Sequence, residues 1–239
     1  MTVFFTFLAL LLTLPYGWSA WQGSTRLRLV DKSDWWSIGR EPDSEDEIKA
    51  QERELSSSNF RALGVALGDE MFVRAAAKLG KATIVERGDA ASGRTQECYV
   101  SVQPGKKVHF ILEQGEVNLA FYLFEDGPQW QGEERCTKSS LVSANAATAS
   151  GLHLGQTPAQ VIAILGKPNL LRKNQLSYSL HVKKKTSPED LEKIRSSYPK
   201  LSDQEFHDNY DYYDLSANVN AKFVDSRLTY LAISKLETN

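Results

Sequence analysis

Gly151-Leu152-His153-Leu154-Gly155-Gln156-Thr157-Pro158-Ala159-Gln160-Val161, closing at Leu165-Gly166-Lys167-Pro168, reads as a capped and sharply stopped helix. Thr157 is an N-cap, and Pro158 stands at the first helical position, where its missing N–H costs nothing. Val161, Ile162 and Leu165 fall on one helical face, and Gly166 with Pro168 stops the helix. The same device occurs earlier, from Leu67-Gly68 to Leu79-Gly80-Lys81. Gly68 and Gly80 stand 12 residues apart, and Gly155 and Gly166 stand 11 apart. The chain therefore carries a duplicated element.

Working outward, both copies run into alternating segments with the two-residue period of strands. After the first helix, in which Asp69 is the expected cap and Phe72, Val73, Ala76 and Leu79 the apolar face, strands are expected near 82–86 and 97–102. A hairpin over 107–113 and 116–124 then turns at Gln114-Gly115. After the second helix, strands are expected near 175–182, 211–216, 219–224 and 227–234, with a turn at Asp225-Ser226. One apolar face per strand predicts antiparallel sheet covered by helices on one side. The fold class expected is α+β: two tandem repeats, each a short helical segment on an antiparallel sheet of about four strands.

The first repeat is expected over 61–137 and the second over 151–239, joined by a Ser/Ala/Thr-rich linker at 138–150. The second copy is longer by about 24 residues, which fit a polar insertion within 183–210. Ser187 with Asp190, and Ser202 with Glu205, are capping-box pairs that predict two short helices there. Residues 21–60 read as an N-terminal strand (Arg26–Val30) followed by an acidic linker, and Trp35 and Trp36 are expected to bury in the core or at a domain seam.

The first 20 residues carry no charge, and an apolar run from Val3 to about Tyr16 ends in small residues. That matches a signal-peptide core of roughly 7–15 residues, and it is short of the about 20 that span a bilayer. The expectation is a secreted or periplasmic protein, with no integral membrane span in the mature chain. With 28 basic against 30 acidic side chains there is no electrostatic footprint for nucleic acid. Cys98 and Cys136, the only cysteines, are read as a disulfide, as an even pair in an exported chain most simply is. A metal site or a catalytic thiol has no His or second Cys at ligand spacing in the sequence.

Gln160-Val161, Leu165-Gly166, Pro168, Tyr178 and Phe223 resemble the SmpA/OmlA (BamE-like) family, whose domains open with such a helix, close it with Leu-Gly-x-Pro and end in an antiparallel hairpin. His153 and Leu154 depart from the pattern. Tandem copies also resemble β-lactamase-inhibitory-protein-like folds. The resemblance implies architecture rather than chemistry, and it transfers no functional residue. The missing Cys near the expected cleavage point argues against an assembly lipoprotein.

Motifs for chemistry are sparse. His109, His153, His181 and His207 form no His-Glu-x-x-His pair, and neither a nucleophile elbow nor a phosphate loop is present. His109 and His181 are expected at exposed or half-buried strand positions. Several oxygens between His207 and Asp214 could serve a hard cation, but the spacing lacks the regular calcium-loop pattern. The expectation is a non-catalytic module with no cofactor and no metal, binding another protein or an envelope component. Tyr178, Tyr212, Tyr213 and Tyr230 are the candidate binding surface, on the sheet face opposite the helices, because tyrosine offers large contact area at low entropy cost. The alternatives are an inhibitor of a secreted enzyme and an exported hydrolase or metal-dependent enzyme using His207–Asp214. Because the first copy carries both cysteines and the second the insertion, the functional surface is expected mainly on the second.

Overall fold

The computed structural model describes residues 49–87, 93–127 and 136–238. The expected signal segment, the strand Arg26–Val30, both tryptophans of the Trp35-Trp36 pair and most of the acidic stretch lie outside the described residues.

In chain order the elements are β1 (Gln51–Glu52), a 3-10 turn (Ser57–Phe60), β2 (Arg61–Ala62), β3 (Val65–Ala66), α1 (Met71–Leu79), β4 (Val85–Arg87), β5 (Arg94–Ser101), β6 (Val108–Gln114), β7 (Asn118–Glu125) and β8 (Thr137–Ser139). They continue as α2 (Pro158–Leu165), β9 (Leu170–Arg172), β10 (Gln175–Lys185), α3 (Pro188–Ser197), α4 (Asp203–Tyr210), β11 (Tyr212–Val224) and β12 (Arg227–Thr238). Ten of the strands form one mixed sheet, ordered β1-β10-β11-β12-β7-β6-β5-β4, with β9 also on β10 and β8 also on β5.

This corrects the expected fold class. Two units with separate sheets of about four strands are not what forms. The last strands of the two halves, β7 and β12, pair antiparallel, from Tyr230 opposite Phe124 to Leu236 opposite Asn118, and fuse everything into one sheet. Side-chain alternation specifies which face of a strand is buried, but leaves open which strand lies beside it.

The halves are also strapped across each other. β1, which precedes the first helix, runs parallel to β10 of the second half. β8, which precedes the second helix, runs parallel to β5 of the first half. Each strap covers part of an edge strand whose free N–H and C=O groups would otherwise invite pairing with another chain. The 138–150 stretch, read as a linker from its composition, is packed. Val142, Ala146 and Thr148 are buried, Thr148 bridges to Ala62, and Ala149 N–H donates to the Arg61 carbonyl at 2.7 Å.

One sheet face carries the main core. Met71, Ala75 and Leu79 from α1, and Val161 and Leu165 from α2, pack on Tyr99, Phe110, Leu112, Phe121 and Leu123 of the first half. The same cluster takes in Leu176, Tyr178, Leu180, Val219, Phe223, Leu231 and Ile233 of the second. The helix α1 is rotated from the expected face: Met71, Ala75 and Leu79 point inward, while Val73 is 71% exposed. Its N-cap is Glu70, without a side-chain cap bond, in place of Asp69. The second helix follows its sequence closely. Thr157 Oγ accepts from the Gln160 N–H, and Gln160 Oε1 accepts from the Thr157 N–H at 2.8 Å, a complete capping box.

The strands expected at 211–216 and 219–224 are one continuous strand, β11. Its turn into β12 places Asp225 and Ser226 at φ +49° and +60°, as a type I′ hairpin demands. Both insertion helices form behind their predicted caps, Ser187 and Ser202. No helix among the described residues is long and apolar enough to cross a membrane.

Candidate functional site

The face of the sheet away from α1 and α2 differs sharply between the halves. In the first half it is buried. Cys98, Val100, Ile111, Ala120, Tyr122, Phe124 and Cys136 form a second apolar cluster, joined from β12 by Tyr230 and Ala232. Cys98 and Cys136 are disulfide-bonded, as the even cysteine count implied, with their Cα atoms 4.7 Å apart.

Beside this cluster lies a buried polar group. Glu113 accepts hydrogen bonds from Arg94 Nη1 at 3.2 Å, from Tyr122 OH at 3.1 Å, and from Gln96 Nε2. Burial and the adjacent carboxylate push the Tyr122 phenol well above its ordinary range, so it stays a donor. A buried carboxylate persists only when donors and a cation compensate the lost water, and Glu113 has both. On the helix-covered face Tyr99 OH donates to Glu97 at 2.8 Å. Burial, the larger effect, raises the Glu97 pKa, while the tyrosine hydrogen bond pulls it down.

Among the described residues the same face is open in the second half, although Ser177 and Ala232 within it are buried. Three strands align their outward residues in rows: Gln175 beside Lys222, then Ser177–Asn220–Ala232, Ser179–Asn218–Ser234 and His181–Ser216–Leu236. Ser179, Asn218, Asn220, Ser216 and Ser234 are half-buried, as side chains on an uncovered sheet are, while their neighbours Leu180, Ala217, Val219 and Ile233 are buried on the opposite face. Ser177 Oγ donates to Asn220 Oδ1 at 2.7 Å, and Gln175 Nε2 donates to Ser177 Oγ at 3.0 Å. These short side chains pre-order one another and leave the backbone close to the surface. The far end carries Lys183, whose ammonium lies 5.4 Å from the Tyr212 ring centre, and Asp214, 3.5 Å from His181 Nε2.

The four tyrosines separate. Tyr178 is 2% exposed on the helix-covered face, with its hydroxyl donating to the Gly166 carbonyl at 3.1 Å, and its pKa is pushed up to about 12, chiefly by burial. Tyr230 is 3% exposed and belongs to the second apolar cluster. Tyr213 is half-buried at the strand end, and Tyr212 is 50% exposed beside the open face. Tyrosine side chains thus line only the end of that face. Its bulk is Ser and Asn, residue types that carried no signal in the sequence.

The residues from His207 to Asp214 do not converge. His207 Nδ1 lies 2.7 Å from Asp211 Oδ1, Asp208 accepts instead from Gln204 Nε2 at 2.9 Å, and Asp214 faces His181. His153 Nδ1 lies 2.7 Å from its neighbour's carbonyl, Leu154 O, ahead of α2. The histidine that sequence reasoning misplaced is His109, expected exposed or half-buried and in fact 2% exposed. It stacks on Phe124 with ring centres 5.0 Å apart. The sequence reading takes Val108, Phe110 and Leu112 as the one buried face of its strand; in this half both faces are covered.

Compared with known protein families, with curated proteins and with solved structures, the chain matches none.

Proposed function

We propose that this chain is an exported, non-catalytic binding module that engages another protein or an envelope component through the open face of β10, β11 and β12. One observation carries the reading: among the described residues, the sheet face that is sealed in the first half is uncovered in the second. That face presents ordered Ser, Asn and Gln side chains with an exposed tyrosine at its end. Polar surfaces of small, mutually bonded side chains offer many donors and acceptors at little conformational cost. Export is supported by the uncharged apolar opening residues and by the disulfide.

Asn218 lies at the centre of the face, between Ser179 and Ser234. Asn218→Arg fills it with a bulky cation, and a thermal melt checks that the variant stays folded. Affinity capture from envelope extract, with mass spectrometry, compares the unaltered chain, Asn218→Arg, and Glu192→Lys on the exposed insertion helix. The expected result is a partner retained by the unaltered chain and by Glu192→Lys and lost by Asn218→Arg. Equal retention by all three rejects this face as the contact.

A further inference from the structure

On the sealed face of the first half, three ligand-type side chains meet that lie far apart in the sequence. Cys98 on β5, His109 on β6 and Cys136 just ahead of β8 bring both Sγ atoms and an imidazole nitrogen within 4.8 Å of one another, all buried. The register explains it. Cys98 pairs with Ile111 and Val100 with His109, so Cys98 and His109 are diagonal neighbours on one face. The strap β8, parallel to β5, delivers Cys136 to the same place.

The disulfide accounts for the sulfurs but not for the imidazole. Among the described residues His109 Nδ1 is buried with no hydrogen-bond partner, and Nε2 lies 2.9 Å from Asp126 Oδ1, off the line of a straight hydrogen bond. Burying a polar nitrogen without a partner is unfavourable. A carboxylate beside the other ring nitrogen is the companion that metal-bound imidazoles carry, since it fixes their tautomer and orientation.

The geometry points to a metal site that assembles when the Cys98–Cys136 bond is reduced: two thiolates and His109 Nδ1 bind a zinc-class divalent cation, with Asp126 orienting the ring. Zinc ligands at about 2.0–2.3 Å in tetrahedral array stand within about 4 Å of one another. Opening the S–S bond and rotating the side chains therefore suffices. Two thiolate charges neutralise a divalent cation, which removes the penalty of burying it. The fourth tetrahedral position is left to a solvent oxygen. The reduction needs a dithiol reductant: its thiolate attacks one sulfur, a mixed disulfide forms, and the second thiol closes the reductant's own disulfide. Cys98 and Cys136 thereby gain two electrons and two protons, and both protons leave to solvent as the cation binds.

The test uses the full chain, reduced with a phosphine under argon and titrated with Co²⁺ and then Zn²⁺. The expected result is thiolate-to-cobalt charge-transfer absorption with tetrahedral d–d bands, saturating at a single ion per chain and bleached by zinc. The oxidised chain gives none. Asp126→Asn retains the bands with affinity weakened about tenfold or more, and His109→Gln loses the tetrahedral spectrum. If His109→Gln fails to fold, the Asp126→Asn titration and the spectrum of the unaltered reduced chain decide. No charge-transfer band in the reduced chain overturns the site, as does undiminished affinity in Asp126→Asn.

Discussion

Arg53 reaches from the strap ahead of the first helix to the C-terminal end of α2, 112 residues further on, and donates from Nη1 to the Leu165 carbonyl oxygen. A guanidinium there satisfies an orphan carbonyl and complements the negative end of the helix dipole. The neighbourhood is closely fitted. Gly166 has φ +78°, and a Cβ there would stand 3.1 Å from Arg53 Nη1. Gln51 Nε2 donates to the Lys167 carbonyl at 3.2 Å, and Lys184 pairs with Glu54 at 2.6 Å.

Replacing Arg53 with Leu should therefore lower stability by about 1–3 kcal/mol, the usual cost of stranding buried hydrogen-bonding groups. Gly166→Ala should cost a further 1–2 kcal/mol or so through its left-handed backbone. Urea unfolding measures both. Neutral results would show that the strap does not hold the second half.

The Glu113 group predicts an order of effects. Arg94→Met leaves a buried carboxylate without its cation and should cost about 3 kcal/mol. Tyr122→Phe removes one of three donors and should cost about 1 kcal/mol. The reverse order in thermal or denaturant unfolding would mean that Arg94 contributes little to holding the charge.

His109 gives a pH dependence with a definite sign. Burial, the larger influence, lowers its pKa from 6.5, Asp126 opposes the shift, and Lys107 adds to it. Below about pH 6.5 the unfolded chain takes up a proton on this ring before the folded chain does. Stability from His109 is thus fully present above that pH and falls as pH drops toward the lower folded value. Between pH 7.5 and roughly 5.5 the urea midpoint should fall more in the unaltered chain than in His109→Gln. Parallel curves would contradict the neutral, buried assignment.

Local elements were legible wherever one residue type forces one conformation. Thr157 with Pro158 marked the start of α2, and Gly166 and Pro168 its end. Ser187 and Ser202 marked the insertion helices, and Asp225-Ser226 the last hairpin. The first helix was misphased because its run of alanines presents weakly contrasting faces, so Val73 and Ala75 exchange roles. Strand order was not legible, since the β7–β12 pairing joins strands more than a hundred residues apart through backbone groups that every residue carries. The straps β1 and β8 span only two and three residues, too few for any periodicity. For the open face, the tyrosines were the visible signal and the Ser–Asn rows the actual content. The burial of His109 followed from covering both faces of one half, which alternation within a single strand does not report.

The two halves of the chain make a single sheet whose second face, among the described residues, is sealed in the first half and open in the second. Equilibrium unfolding of the oxidised chain, followed by a tertiary-structure probe and by far-UV dichroism, tests it most directly. Ile233, buried opposite Phe121 on the β7–β12 seam, supplies the lever, since Ile233→Ala should cost about 2–5 kcal/mol. One coincident transition is expected in the unaltered chain, shifted as a whole in Ile233→Ala. Two separable transitions, with Ile233→Ala moving only one, would contradict it.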